Sequence, residues 1–159
     1  EFRRVLFRSE GGVRVPCIAY CPGQIVPRVD EEIVTAMDVY ATNLWLGGYR
    51  LPENHVTDGK NIASCLGYAE AKEKEDTPYF YFGQGNRLYA VREGKWKLHI
   101  KTFSQTGVDY FKGELPLLFD LEQDPSEKYD LSEQNSELVA RLQQLLEAKD
   151  KEIRETGSF

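Results

Sequence analysis

Two kinds of hydrophobic spacing divide the chain. From Val13 to Tyr20 the run Val-Arg-Val-Pro-Cys-Ile-Ala-Tyr is β-branched and nearly continuously apolar, and Cys21-Pro22-Gly23 closes it; this predicts a strand buried on both faces, ending in a turn. Asp30 or Glu31 is placed to cap a helix starting near Glu32, because Ile33, Met37, Tyr40, Ala41 and Leu44 recur at spacings of three and four, and Gly47-Gly48 stops it. Leu51-Pro52 to Asp58-Gly59 reads as a loop and Asn61 to Gly67 as one short helix. Strand, turn and helix make one unit of an α/β layer, with no second parallel strand following.

After a charged linker at Ala69 to Asp76 the spacing changes. Thr77 to Phe82 and Leu88 to Arg92 predict two strands, and Glu93-Gly94 a two-residue hairpin turn for which glycine supplies positive φ. Lys95-Trp96-Lys97-Leu98-His99-Ile100-Lys101 alternates without a break, which puts Trp96, Leu98 and Ile100 toward a core and the lysines and His99 outward. Leu117 to Leu121 is a fourth strand, ended by Asp124-Pro125. From a cap at Asn135, Leu138, Val139, Leu142, Leu145, Leu146, Lys149 and Ile153 form one apolar stripe of a long helix. The economical arrangement is a four-stranded antiparallel sheet with that helix across one face. At roughly 1.5–3 kcal/mol per large buried apolar side chain, this half can build a core of its own.

Composition narrows the classes. The 159 residues are 41% apolar and 29% charged, ordinary for a globular protein, and no apolar run reaches membrane-spanning length. A net charge of −6 argues against a nucleic-acid binder, which needs a basic patch. Residues 1–9 carry three arginines against one glutamate, so the rest carries −8; this abrupt shift, and the start on Glu-Phe, mark the segment as a non-native scar or else a basic strand. Cys17, Cys21 and Cys65 read as buried thiols without disulfides.

Several segments, in order, resemble the sulfatase family. Glu10-Gly11-Gly12-Val13-Arg14-Val15-Pro16 is similar to the Glu-Gly-Gly-x-Arg-x-Pro segment that follows the active-site region of arylsulfatases. Tyr20-Cys21-Pro22-Gly23, Met37-Asp38, Leu51-Pro52, Asp58-Gly59 and Tyr89-Ala90-Val91-Arg92-x-Gly94-Lys95-Trp96-Lys97 follow in the family's order. Leu118-Phe119-Asp120-Leu121-x-x-Asp124-Pro125-x-Glu127-x-x-Asp130-Leu131 resembles its closing motif. The resemblance implies a C-terminal portion of an alkaline-phosphatase-like protein. Residues 10–72 would be the last strand and helix of the large α/β domain, and residues 73–159 the small antiparallel domain.

The family hydrolyses sulfate esters with a formylglycine made in a Cys/Ser-x-Pro/Ala-x-Arg motif, aided by Ca²⁺ on aspartates and an asparagine, a hard cation suited to oxygen ligands. No cysteine or serine of this chain lies in such a motif, and Val5 stands where the family has a sulfate-contacting lysine. The resemblance therefore implies a chain inactive by itself, whose partners are the rest of the sulfatase and a sulfated small molecule or glycan, with no nucleic acid or membrane. It also implies a secreted, periplasmic or lysosomal setting.

It places Glu10, Gly11, Gly12 and Arg14 at the edge of the catalytic cleft, where a tight glycine turn with a structural ion pair is the plainer explanation. Lys97 and His99, with Lys95 and Lys101, form a positive strip that could steer a sulfated ligand. Tyr110 and Phe111 sit in an irregular segment suited to substrate selection. Asp120, Asp124, Glu127 and Asp130 cluster in a way that an Asp-Pro turn explains without a metal. Two other readings remain open: a free-standing carbohydrate- or protein-binding module, and a piece of a phosphomonoester or phosphonate hydrolase of the same superfamily.

Overall fold

The computed structural model describes residues 10–52, 55, 57–71, 77–83, 85, 87–102 and 114–156. The expectations about residues 1–9 and about Tyr110 and Phe111 lie outside the described residues. The chain divides into two compact units, residues 16–75 and a second one that joins the segment up to Val15 with residues 76–159.

In the sheet unit, β1 (Tyr79–Phe82), β2 (Leu88–Glu93), β3 (Trp96–His99) and β4 (Leu117–Asp120) form an antiparallel meander in sequence order. Tight connections join β1 to β2 and β2 to β3, and consecutive strands so joined pair with each other first; β3 and β4 pair although a longer segment separates them. The β2–β3 register matches Glu93 with Trp96, so the turn residues are Gly94-Lys95, one position later than the spacing suggests. Gly94 has φ 53°, the left-handed conformation glycine adopts without steric cost.

One face of the sheet packs on α3 (Ser136–Thr156). Leu88, Val91, Leu98 and Leu118 meet Val139, Leu142 and Leu146, with Phe80, Trp96, Ile100, Leu138, Leu145 and Ile153 around them, as the alternation in β3 and the stripe of α3 require. A short 3₁₀ turn, Glu133–Asn135, leads into α3. Before it, the Asp130 carboxylate accepts from the backbone N–H of Leu118 at 2.9 Å and of Ser132 at 3.0 Å, tying the approach of the helix to β4.

The second face is also covered. Pairing puts Tyr79, Tyr81, Ala90, Arg92, Lys97, His99, Leu117 and Phe119 on it, and all but Tyr79 and Arg92 are buried. The expectation that Lys97 and His99 face solvent is therefore corrected: Lys97 is 0% and His99 3% exposed. The cover comes from α1 (Glu10–Val13), a single turn, and from the loop holding Glu127.

The unit of residues 16–75 is built around α2 (Asp38–Leu46). The helix starts six residues later than its apolar spacing suggests; the Asp30 carboxylate is engaged in a local turn, and Asp38 bonds back to the approach of the helix as in a capping box. Asp30 accepts from Glu32 N at 3.1 Å, and Asp38 accepts from Thr35 N at 2.7 Å. The other Asp38 oxygen takes Lys60 N at 2.7 Å, and Thr42 Oγ1 accepts from Ile62 N at 3.0 Å, so the helix start organises the loop beside it. A Cβ on Gly59 would stand 2.0 Å from the Met37 carbonyl oxygen. That close approach leaves no room for a side chain at position 59.

Two expectations fail in this part of the chain. Residues 61–67 form turns, not a helix, and residues 14–20 form no strand. Val15, Ile18 and Tyr20 are 73%, 91% and 85% exposed, because no described strand offers them backbone partners or covers them. Cys17 is exposed and Cys21 and Cys65 are half-buried, so the thiols are less covered than their apolar neighbours suggest; none is in a disulfide.

Candidate functional site

The second face of the sheet carries a compact ionic cluster. Its centre is the Lys97 ammonium, in the middle of a central strand, 2.7 Å from Glu127 Oε1 and 3.0 Å from Glu10 Oε1. Arg92, directly across on β2, donates from Nη1 to Glu10 Oε2 at 3.1 Å. Tyr81 on β1 donates its hydroxyl to Glu10 Oε1 at 3.4 Å, and its ring lies 4.3 Å from Lys97 Nζ, a cation–π contact. The backbone N–H of Glu10 donates to Glu127 Oε1 at 3.3 Å.

His99 stands one step along the same face. Its Nε2 is 3.5 Å from Glu127 Oε2, and its ring meets Phe119 edge-on. Glu127 reaches the cluster because it has φ 53°, unusual for a residue with a side chain, at the end of the Asp124-Pro125-Ser126 turn. Asp124 fixes that turn by accepting from Lys128 N at 2.6 Å and Tyr129 N at 2.8 Å.

Burial by itself would push the Glu127 carboxyl upward, but the His99 contact and the Lys97 charge outweigh it and hold it below the ordinary glutamate value of 4.5. Burial, reinforced by the Glu10 charge, raises the Tyr81 phenol, which stays a neutral donor. Asp120 behaves like Glu127: burial opposes its charge, yet the Lys95 ammonium at 2.8 Å and the N–H groups of Glu122 and Gln123 keep it below the usual range.

A folded-state value below the unfolded one makes Glu127 stabilising above about pH 4.5, with the contribution lost as pH falls through the folded value. Urea midpoints measured from pH 7 downward should therefore fall below pH 4.5 in the parent chain and fall less steeply in Glu127→Gln. Parallel curves for the two proteins would contradict this assignment.

The cluster brings together residues the sequence suggested separately, Glu10, Lys97, His99 and Glu127, and adds Arg92 and Tyr81, which sequence reasoning missed. Gly11 and Arg14 are exposed and Gly12 half-buried; Arg14 contributes only its N–H to Glu10 O, at 2.7 Å. The missed signal was present in the neighbouring strands. Leu88-Tyr89-Ala90-Val91 and Leu117-Leu118-Phe119 are apolar at consecutive positions, which marks both faces of the sheet as covered, so the strand between them cannot have a wet face.

Each carboxylate of Asp120, Asp124, Glu127 and Asp130 accepts from N–H or ammonium donors, and among the described residues no three His, Cys, Asp or Glu side chains are grouped to hold a metal. Nor is any described helix long and apolar enough to cross a membrane.

Residues 73–158 match the family model described as the C-terminal region of aryl-sulfatase. The chain belongs to the sulfatase family. An arylsulfatase of Hemicentrotus pulcherrimus is 39% identical over 77% of this sulfatase chain and 26% of its own length. The N-acetylgalactosamine-6-sulfatase of Mus musculus is 30% identical over 91% of the chain and 32% of its own. Among solved structures, the PsFucS1 sulfatase from Pseudoalteromonas sp. superposes with a TM-score of 0.72 at 25% identity, over 93% of this chain and 33% of that one. This sulfatase chain spans about a quarter to a third of the length of such relatives. In it, the four-stranded antiparallel sheet and long final helix are the family's C-terminal region, and the buried cluster joins the Glu-Gly-Gly segment to that region.

Proposed function

We propose that this chain is the C-terminal portion of an enzyme that hydrolyses sulfate esters, with the formylglycine nucleophile and the Ca²⁺ ligands carried by residues outside this sequence. The observation that carries the reading is the family match over residues 73–158, joined to relatives that cover most of this chain with about a quarter to a third of their own length. The sequence motifs agree with it, since no cysteine or serine here has the formylglycine signature. The partners in this reading are the remainder of the sulfatase and a sulfated small molecule or glycan. Two relatives named for N-acetylgalactosamine-6-sulfate and for aryl sulfates favour that substrate class without choosing within it.

The chain's own residues would then act as a support. Glu10, Gly11 and Gly12 would border the cleft, with Arg14 exposed beside them. Lys97 and His99, being buried, would serve that border through Glu10 and Glu127, not by touching substrate.

The chain by itself should show no turnover of a chromogenic aryl sulfate, with or without added Ca²⁺. Measurable kcat would overturn the reading. The reading frame upstream of these codons should encode a Cys/Ser-x-Pro/Ala-x-Arg motif; a serine or threonine nucleophile outside such a motif would point instead to phosphomonoester or phosphonate chemistry.

A further inference from the structure

Glu10 is separated from the residues that hold it by 82 positions to Arg92, 87 to Lys97 and 117 to Glu127, and the whole unit of residues 16–75 lies between. Among the described residues, the segment it belongs to has little else to keep it in place. α1 is one turn of Glu-Gly-Gly-Val, far too short to persist by itself and weakened further by two glycines. Gly11, Val13, Arg14 and Val15 are exposed, so Glu10 is the only buried residue of the strap. Its attachment is concentrated in one side chain, as in an interface dominated by a single anchor.

We propose that Arg92, Lys97 and Tyr81 form a carboxylate-binding socket, that its ligand is Glu10 supplied in cis, and that Glu10–Val15 is a strap docked on the sheet through it. Both oxygens of the carboxylate are used: Oε1 accepts from Lys97 and Tyr81, and Oε2 from Arg92. Glu127 completes the site by accepting the strap's first N–H and by sharing the Lys97 ammonium. With Glu10 in place the two cations face two carboxylates. With the Glu10 side chain removed, Arg92 and Lys97 lose one of the two carboxylates beside them, and the shift of a poorly solvated pocket toward positive charge recruits a small carboxylate. This assignment goes beyond the proposed activity and does not depend on it.

The test uses the full chain with Trp45→Phe, so that Trp96 reports on the sheet, and the variants Glu10→Ala and Glu10→Gln in that background. Hydrogen exchange of residues 10–15 should accelerate at least about tenfold in Glu10→Ala while β2 and β3 stay protected. Sodium formate should raise the urea midpoint of Glu10→Ala above that in sodium chloride of equal ionic strength, and Lys97→Met added to Glu10→Ala should abolish the difference. Strap exchange at the parent rate, or equal effects of formate and chloride, would overturn the proposal. If Glu10→Ala does not fold, Glu10→Gln keeps the side-chain volume without the charge and should still free the strap; parent-like exchange in it would equally overturn the assignment.

Discussion

Lys97→Met lowers the stability of the sheet unit by about 3–5 kcal/mol, the cost of leaving buried charge without its partner. Methionine fills nearly the same space, so the loss is electrostatic and not a cavity effect. The ammonium stands between Glu10 Oε1 at 3.0 Å and Glu127 Oε1 at 2.7 Å, with all three side chains nearly or fully excluded from water. Without it, two carboxylates share a dry site in which Arg92 is bonded to the far oxygen of Glu10 and His99 stands 3.5 Å from the far oxygen of Glu127, and no ammonium lies between them. A domain of this size is stable by only about 5–15 kcal/mol, so the variant is expected near the edge of folding.

Urea unfolding followed by Trp96 fluorescence, with Trp45 replaced by Phe, measures this directly. Lys101→Met, an exposed lysine on the same strand extension, supplies the contrast and should change stability by no more than about 0.5 kcal/mol. A Lys97→Met midpoint indistinguishable from that of Lys101→Met would mean the cluster does not hold the sheet's second face.

Leu142→Ala destabilises through the opposite face by about 2–5 kcal/mol. Leu142 is the fully buried centre of the α3 stripe, in the cluster with Val91, Leu98 and Leu118 from three adjacent strands. Those strands are held in register by the ladder and cannot collapse into the space left behind, which places the loss toward the upper end of the range. Leu145→Ala, on the partly buried flank of the same stripe, should cost less. The comparison is read from urea midpoints at constant slope; equal losses at the two positions would show that α3 is rotated about its axis relative to the described packing.

The two variants test different kinds of information. The α3 face could be read from residue spacing: Trp96, Leu98 and Ile100 alternate, Leu138 to Ile153 repeat at helical intervals, and each pattern predicts its own buried side. The Glu-Gly and Asp-Pro signals likewise place the turns within a residue of where they occur, since backbone conformation at Gly94 and Pro125 is a local property. The errors lie where local pattern has no access to the neighbours. Val13 to Tyr20 has strand composition but no described strand to pair with, and a strand is defined by its partner's hydrogen bonds. Asp30 has capping chemistry, yet it accepts from the N–H of Glu32 in a local turn, and the helix begins at Asp38.

The linear sequence by itself determined the order of the strands, the final helix with its apolar side, and membership of the sulfatase family through motifs running from Glu10 to Leu131. Tight turns and side-chain periodicity act over a few residues, so they can be read without coordinates. Tertiary structure alone decided that Lys97 and His99 lie in a closed polar core instead of on a wet surface. Whether a lysine on an alternating strand meets water depends on what covers that face, and here the cover arrives from Glu10, 87 positions upstream, and Glu127, 30 positions downstream. Only when those carboxylates converge does a charge that favours solvent become cheaper to bury than to expose.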